Sequence, residues 1–599
     1  MLLTVLTIVS LCLYTHTRAA PQALQDQLVL TTSSPPHTHT SAPRHGLARG
    51  ESVEDDRRDP LENFQVHHPP VVPKGGKACT VELLRHDFAF SYYRPAIVNY
   101  TPPSSCGLPG TWAAVVLNLA VTSNGTQFDR LGSISLDHVE IWRTSTAEPT
   151  RSGIIWSYQK DVTRFQPLFA KPGELLFELN NIIDDTYTGV FSTALSATFY
   201  EPTEDFPQPP GADLILPITS GSQTGSQMLV YPEHAAAYVT IPAGTAEAWL
   251  EVIAIGAAEE EFWYTNVLDR WKDYWPDADL SAKGPFREVQ VLVDGTMAGV
   301  VYPFPVIYTG GANPLLWRPL ASLRAFDIPS FFIDVSPFIP QLTDGCPHEF
   351  SFVVYGQGKN HSINADWFLT GALHLILDPT VPPVRTTGHL LGYEVTPEPL
   401  ILSGGFPSRH QESLKTVVKG TRAVNIIGEL KTGSGAKIVH WGQAFSIENK
   451  QFWTDEGAFE DAEHSINSII TSTHNGQLTF RDVSSFGLSL TTNYTALSEH
   501  VFSASLPEYS YRRALTIPAA LGGLGGTRTT RSEQKGWAEI RGREAGRSFG
   551  YGEMEEKYEY TGERGETYWE ETKAANTTIV SRRMGGSLAT KAFDQRVES

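Results

Sequence analysis

Cysteine is scarce, with 4 in 599 residues. Cys12 lies in an apolar leader, so Cys79, Cys106 and Cys346 remain for the exported chain. That is too few for a disulfide scaffold, and no Cys/His spacing matches a zinc site. Cys79 and Cys106 are spaced to close a loop, and three thiols cannot all pair, so one is expected to be odd. Basic charge is also in short supply. The 46 Lys and Arg stand against 66 Asp and Glu, a net charge of -20, leaving no positive field for a nucleic-acid partner. No segment reaches about eighteen apolar residues in a row, so no membrane-spanning helix is expected after the leader. The Gly-x-Ser-x-Gly elbow, His-Glu-x-x-His, the phosphate-binding loop and the dinucleotide fingerprint are all missing. No cofactor and no metal are expected.

The apolar run 2–14 followed by Thr17-Arg18-Ala19 has the form of a signal peptide over 1–19, so the protein is expected to be secreted. Five glycosylation sequons, at Asn99, Asn124, Asn360, Asn493 and Asn576, agree with that route. From 20 to 76 the composition is Pro, Ser, Thr, His and charge, which predicts a disordered segment. Its His37, His39 and His45 read as solvated linker residues rather than metal ligands.

Beyond it, helix-period stretches are few and short alternating runs dominate, as at 112–121, 173–179 and 191–200. Pro, Gly and Asn turns separate them. An all-β chain of tandem β-sandwiches is predicted. A faint repeat supports two of one type. Asp161-Val162-Thr163-Arg164-Phe165, then 174–177, then 194–200 recurs as Asp334-Val335-Ser336-Pro337-Phe338, then 349–352, then 369–377. The expected division is a first β-sandwich over 77–205, a second over 206–378, and a C-terminal β-rich region over 379–599.

What chemistry remains is carried by carboxylates, arginines and aromatics at strand ends. Phe128-Asp129-Arg130-Leu131-Gly132-Ser133 leads into a motif at 139–150 that contains Glu140, Trp142 and Glu148. Others follow at 160–163, 261–264, 286–289, 303–307 and 309–317. Together, in this order, they resemble the peptide-N-glycosidase A family, the almond-type glycoamidases, from about residue 83 to 378. The resemblance implies hydrolysis of the amide joining an N-glycan to asparagine, with N-glycosylated peptides as substrate and two tandem jelly rolls as the fold. It implies Asp129 as the principal catalytic carboxylate, beside Arg130 as a substrate-binding residue. In the related bacterial peptide-N-glycosidase F type a tryptophan precedes that aspartate; here it is Phe128.

The same likeness makes Glu261 the second catalytic carboxylate, although Glu259 and Glu260 are adjacent and the register is open. It puts Asn180 where a third carboxylate is expected, with Asp184 and Asp185 as possible substitutes. Trp263 is the expected aromatic face for a sugar; Trp142 and Trp156 read as well as buried strand residues. Glu140 and Glu148 lie in well-matched motifs without an assigned role. In chemical terms, Asp129 would act as base, Arg130 would hold the oxyanion and Glu261 would orient substrate or water. Two rival readings are a glycan-binding protein without turnover and a glycosidase that cuts between sugars with paired carboxylates.

Overall fold

Alternation in the sequence becomes alternation of burial. Ile154–Asp161 and Phe191–Tyr200 each turn every second residue into a core, as half-buried strands do. The computed structural model describes residues 59–496, 500–542, 548–589 and 593–596. The predicted signal peptide 1–19 and the Pro/Ser/Thr-rich stretch as far as residue 58 lie outside the described residues.

The strands form five sheets, and the chain is all-β apart from short helical turns. The first sheet runs in the order Leu61–Glu62, Ile154–Asp161, Ala114–Ser123, Phe191–Tyr200, Ala78–Phe88. Its partner runs Ala96–Tyr100, Gly173–Leu179, Leu131–Leu136, Val139–Ser145. The two share one core, in which Phe88 and Phe177 meet edge to face at 5.0 Å.

A second pair of sheets repeats this order. One runs Leu214–Ile218, Trp367–Leu377, Thr245–Gly256, Phe331–Asp334, and the other Ala236–Val239, His348–Tyr355, Glu288–Val293, Thr296–Val301. The sequence repeat has a physical basis. Asp161 accepts from the Thr163 N–H at 2.8 Å, and Asp334 from the Ser336 N–H at 2.9 Å, so each carboxylate closes the same turn. A 3₁₀ turn and one turn of α-helix follow in both copies, burying Phe165 and Phe338.

The third part is a twelve-stranded sheet, antiparallel throughout, whose strands reach 20 residues. Its buried face covers the second pair of sheets. Gln443 exchanges hydrogen bonds with both the N–H and the carbonyl of Val300, and Tyr509 donates to the Pro305 carbonyl.

Two expectations are corrected. Residues 59–76 are not a free linker: Leu61–Glu62 pairs in parallel with Ile154–Ile155, Phe64 bridges Leu320, and Leu61, Gln65 and Val66 are buried. Apolar residues spaced through that stretch outweigh its polar composition. The expected odd thiol is likewise not found among the described residues, where Cys79 and Cys106 are joined and no cysteine is free.

His474 ties the large sheet to the second pair. Its Nε2 lies 2.8 Å from Asp334 and its Nδ1 3.5 Å from Glu247. Burial works against its charge, but Asp334 and Glu247 together outweigh burial and raise its pKa to about 9. Because the folded value lies above the unfolded one, this stabilisation is full below about pH 6.5 and is lost as pH rises through about 9. His474→Leu is expected to cost about 3 kcal/mol at pH 6, lowering the thermal midpoint by several degrees. The gap to the unaltered protein should narrow above pH 9, and thermal melts at both pH values check it.

Candidate active site

The hairpin Leu131–Leu136 to Val139–Ser145 ends with Leu131 opposite Ser145. Two hydrogen bonds carry the pairing further. Arg130 N–H donates to Thr146 Oγ1, and Thr146 N–H donates to the Arg130 carbonyl, both at 2.8 Å. Asp129 and Glu148 therefore emerge side by side from one hairpin end. Every residue of Val139–Ser145 is buried, because its outer side meets the second pair of sheets. Trp142 Nε1 donates to the Phe326 carbonyl, while Arg143, clamped by both oxygens of Glu140, donates to the Phe368 carbonyl. Arg164–Glu251 and Lys160–Asp327 are further ion pairs across the same junction. Glu140 is thus a docking residue.

That docking brings a loop of the second unit onto the hairpin end. Thr309 Oγ1 donates to the Thr146 carbonyl at 2.9 Å, and Gly310 N–H donates to Asp129 Oδ2 at 3.0 Å. A Cβ on Gly310 would stand 2.5 Å from Glu148 Oε2 and 3.2 Å from Asp129 Oδ1. Only glycine lets the loop pass this close to both carboxyl groups. Glu261, just after the turn Ala258–Glu260, completes the set.

Asp129, Glu148 and Glu261 are half-buried. Burial raises the Asp129 pKa, while the Gly310 N–H and the Arg130 charge pull it back. Burial also lifts Glu261 well above the usual carboxylate range, and the nearby Asp129 charge adds to the lift. Glu148 is raised to about 7 by burial, with Arg318 opposing and Asp129 adding. Like charges kept close in a partly dry place divide into a protonated and an ionised set.

The two neighbours of Glu261 lie elsewhere. Glu259 is exposed, and Glu260 is fully buried in a two-pronged pair with Arg287, also accepting from Trp367 Nε1 and the Asn364 N–H. Of the three, Glu261 is the one whose carboxyl feels the Asp129 charge.

These features coincide with a sequence match. Residues 69–405 match the family model described as peptide N-acetyl-beta-D-glucosaminyl asparaginase amidase A, and residues 415–495 match its C-terminal domain. The chain belongs to this amidase A family. A relative from Prunus dulcis, named peptide-N4-(N-acetyl-beta-glucosaminyl)asparagine amidase A, is 34% identical over 415 residues, covering 66% of this chain and 70% of that protein. The solved structure of PNGF-II aligns in two crystal forms with TM-scores of 0.35 and 0.33 at 13% identity. The match covers 51% and 50% of this chain and spans 65% of that one, a likeness too slight to speak for single residues.

Other expected site residues fall differently. Arg130 is adjacent to Asp129, but its terminal nitrogens are engaged by Tyr92 Oη at 3.0 Å and Gln127 Oε1 at 2.6 Å. It supplies charge to the site more readily than a direct contact. Trp263 is 3% exposed and packs against Tyr264, Trp367 and His464, so it offers no face to a sugar. The buried Glu260–Arg287 pair anchors the turn that points it inward. Trp142 and Trp156 are buried as well. Asn180 uses both ends of its amide inside the protein: Oδ1 accepts from the Tyr93 N–H and Nδ2 donates to Glu178. Asp184 and Asp185 are exposed, and Asp184 caps the N–H groups of Thr186 and Tyr187.

Sequence reasoning missed two things. Glu148 lay in a matched motif, but nothing local tied it to Asp129. The other is an exposed aromatic rim: Phe90 (67%) and Tyr93 (70%), with Tyr92 leaning on Arg130 and Phe128 beside Tyr187. Three aromatics within 90–93 were the available signal. No group of three or more His, Cys, Asp or Glu among the described residues is arranged to hold a metal ion.

Proposed function

We propose that this chain hydrolyses the amide bond between an N-glycan and asparagine, leaving aspartate in the peptide and releasing a glycosylamine. The observation that carries this is Asp129 held by the Gly310 N–H of the second unit, its charge reaching Glu261 of that unit, in a member of the amidase A family. Amide hydrolysis needs a base for water and a donor for the carbonyl oxygen. Asp129, receiving the Gly310 N–H and the field of Arg130, is the best-stabilised anion of the three and serves as base. Glu261 keeps its proton and donates it as a hydrogen bond to the carbonyl oxygen that gains charge. A carboxyl held neutral by an apolar, like-charged setting is suited to that task.

The rim at Phe90, Tyr92 and Tyr93 supplies the sugar-facing surface in place of Trp263. Tyr93 is held at a positive φ of 57°, a conformation that costs a non-glycine residue energy and that the Asn180 bond maintains. Asn180 therefore serves substrate binding indirectly. Tyr93→Ala is expected to raise KM about tenfold with kcat little changed, the pattern of lost uniform binding. Steady-state kinetics on a glycopeptide measures it, and an unchanged KM removes the rim from the substrate path.

Each of the first two sheet pairs is proposed to be a jelly roll, with domain limits near 205 and 378; the interleaved strand order, alike in both, supports this. Export is proposed from the leader and the sequons, of which Asn99, Asn124, Asn360 and Asn576 are exposed.

The deciding experiment incubates the protein with a defined N-glycopeptide and weighs both products. Asparagine converted to aspartate supports the amidase. An asparagine left bearing one sugar means a glycosidase, and unchanged substrate that is retained on a glycan column means a binding protein.

A further inference from the structure

Amide cleavage has a third requirement: the departing nitrogen must be protonated as the C–N bond breaks. Asn180, standing where a third carboxylate was expected, is committed to Tyr93 and Glu178 and has no acidic proton to give. Another acid is nevertheless present. Glu148 Oε2 and Asp129 Oδ1 both face the Cα of Gly310, close enough that a single methyl there would crowd both. The carbonyl carbon and the nitrogen of an amide are only about 1.33 Å apart, so base and acid must sit within one small volume. The hairpin end that fixes Asp129 also fixes Glu148, through the paired bonds between Arg130 and Thr146.

Resting on the amidase reading above, we propose that Glu148 is the catalytic acid that protonates the leaving nitrogen. The partners of the two groups decide which of them holds the proton. Asp129 accepts a 3.0 Å hydrogen bond from Gly310 N–H and lies beside Arg130, which favours its anion. Glu148 has only Arg318, at 3.6 Å, beyond hydrogen-bond length, and makes no hydrogen bond among the described residues. With the Asp129 charge next to it, Glu148 is the group that keeps a proton near neutrality, in line with its raised pKa. The charged and titratable groups around the pair are Arg318, Arg130, Glu261 and Tyr308. Glu261, also raised by burial and by the Asp129 charge, is the hydrogen-bond donor to the carbonyl oxygen in the reading above.

The step balances. Asp129 takes one proton from water while the water oxygen bonds to the carbonyl carbon. The C–N bond breaks with its electron pair on nitrogen, and the Glu148 proton moves to that nitrogen, freeing the glycosylamine. The new side-chain acid keeps the other water proton until it ionises. Transfer of the proton from Asp129 to Glu148, its neighbour across Gly310, restores the starting state.

The test compares the unaltered protein, Glu148→Gln and Glu148→Asp on one defined N-glycopeptide from pH 4 to 9, with product masses, kcat, KM and thermal midpoints. The unaltered protein should lose kcat as pH rises through about 7, where Glu148 ionises. Glu148→Gln should lower kcat about a hundredfold, with KM nearly unchanged, and should abolish that alkaline limb. Glu148→Asp should restore part of kcat and shift the limb. A purely structural role would lower the thermal midpoint and leave the limb in place. Full kcat in Glu148→Gln, or an intact alkaline limb in it, overturns the proposal. Should Glu148→Gln not fold, an unshifted limb in Glu148→Asp overturns it equally. Asparagine left unconverted by the unaltered protein is a different result, which refutes the amidase reading itself and this proposal with it.

Discussion

Asp129→Asn is expected to lower kcat on an N-glycopeptide by about a thousandfold or more, within the range for removal of a positioned base. The substitution keeps size and shape, and the new amide oxygen still accepts from Gly310 N–H. What disappears is the negative charge, so water is no longer deprotonated and the lift that Asp129 exerts on Glu261 and Glu148 is relieved. Stability should move the opposite way to activity. The folded pKa of Asp129 lies above its unfolded value, so the fold loses stability as pH rises between the two, and the amide removes that loss. The expected product is an inactive protein that melts at the same temperature or higher at neutral pH. Full turnover in a folded Asp129→Asn protein would rule out the base role.

The second large effect separates two adjacent glutamates. Glu260→Gln leaves the wholly buried Arg287 charge without its counter-ion, with the carbonyls of Lys283, Gly284 and Phe286 and one amide oxygen in place of a carboxylate as partners. Breaking a buried pair of this kind costs about 3–5 kcal/mol, so low expression or a sharply reduced thermal midpoint is expected. Glu261→Ala should do the reverse, folding normally but losing about a hundredfold in kcat, as when one oxyanion donor is deleted. Glu261→Gln should keep more activity than Glu261→Ala, because an amide NH₂ still donates to the carbonyl oxygen. If Glu261→Gln were as damaged as Glu261→Ala, Glu261 would be acting through its charge rather than its proton. Thermal melts and kinetics on the three variants decide it.

The contrast between these glutamates shows what was readable in the chain. Three acids at 259–261 are indistinguishable by type, and the choice among them was made by Arg287, 27 residues on from Glu260. Trp263 was expected at the surface because its motif matched, but a buried ion pair on the preceding turn points it inward. Glu148 carried no local sign of its role, since Asp129 stands on the opposite strand of the hairpin and the glycine between them comes from another unit. The aromatic rim is similar: Tyr93 is held by Asn180, 87 residues away.

The sequence by itself determined the period-2 strands, the turns that close them and the repeat. The paired Asp161–Thr163 and Asp334–Ser336 turns need only residues two apart, so each copy carries its own instruction. It also marked Asp129 through the order of motifs around it. Only the tertiary structure decided which carboxyl groups share a site. Asp129 and Gly310 are 181 positions apart, and their contact exists because Trp142, Arg143, Lys160 and Arg164 dock the first unit on the second. Hydrogen bonds between near neighbours are written in short patterns. The distance between two acids on separate units is set by how buried faces fit, and no short pattern records that fit.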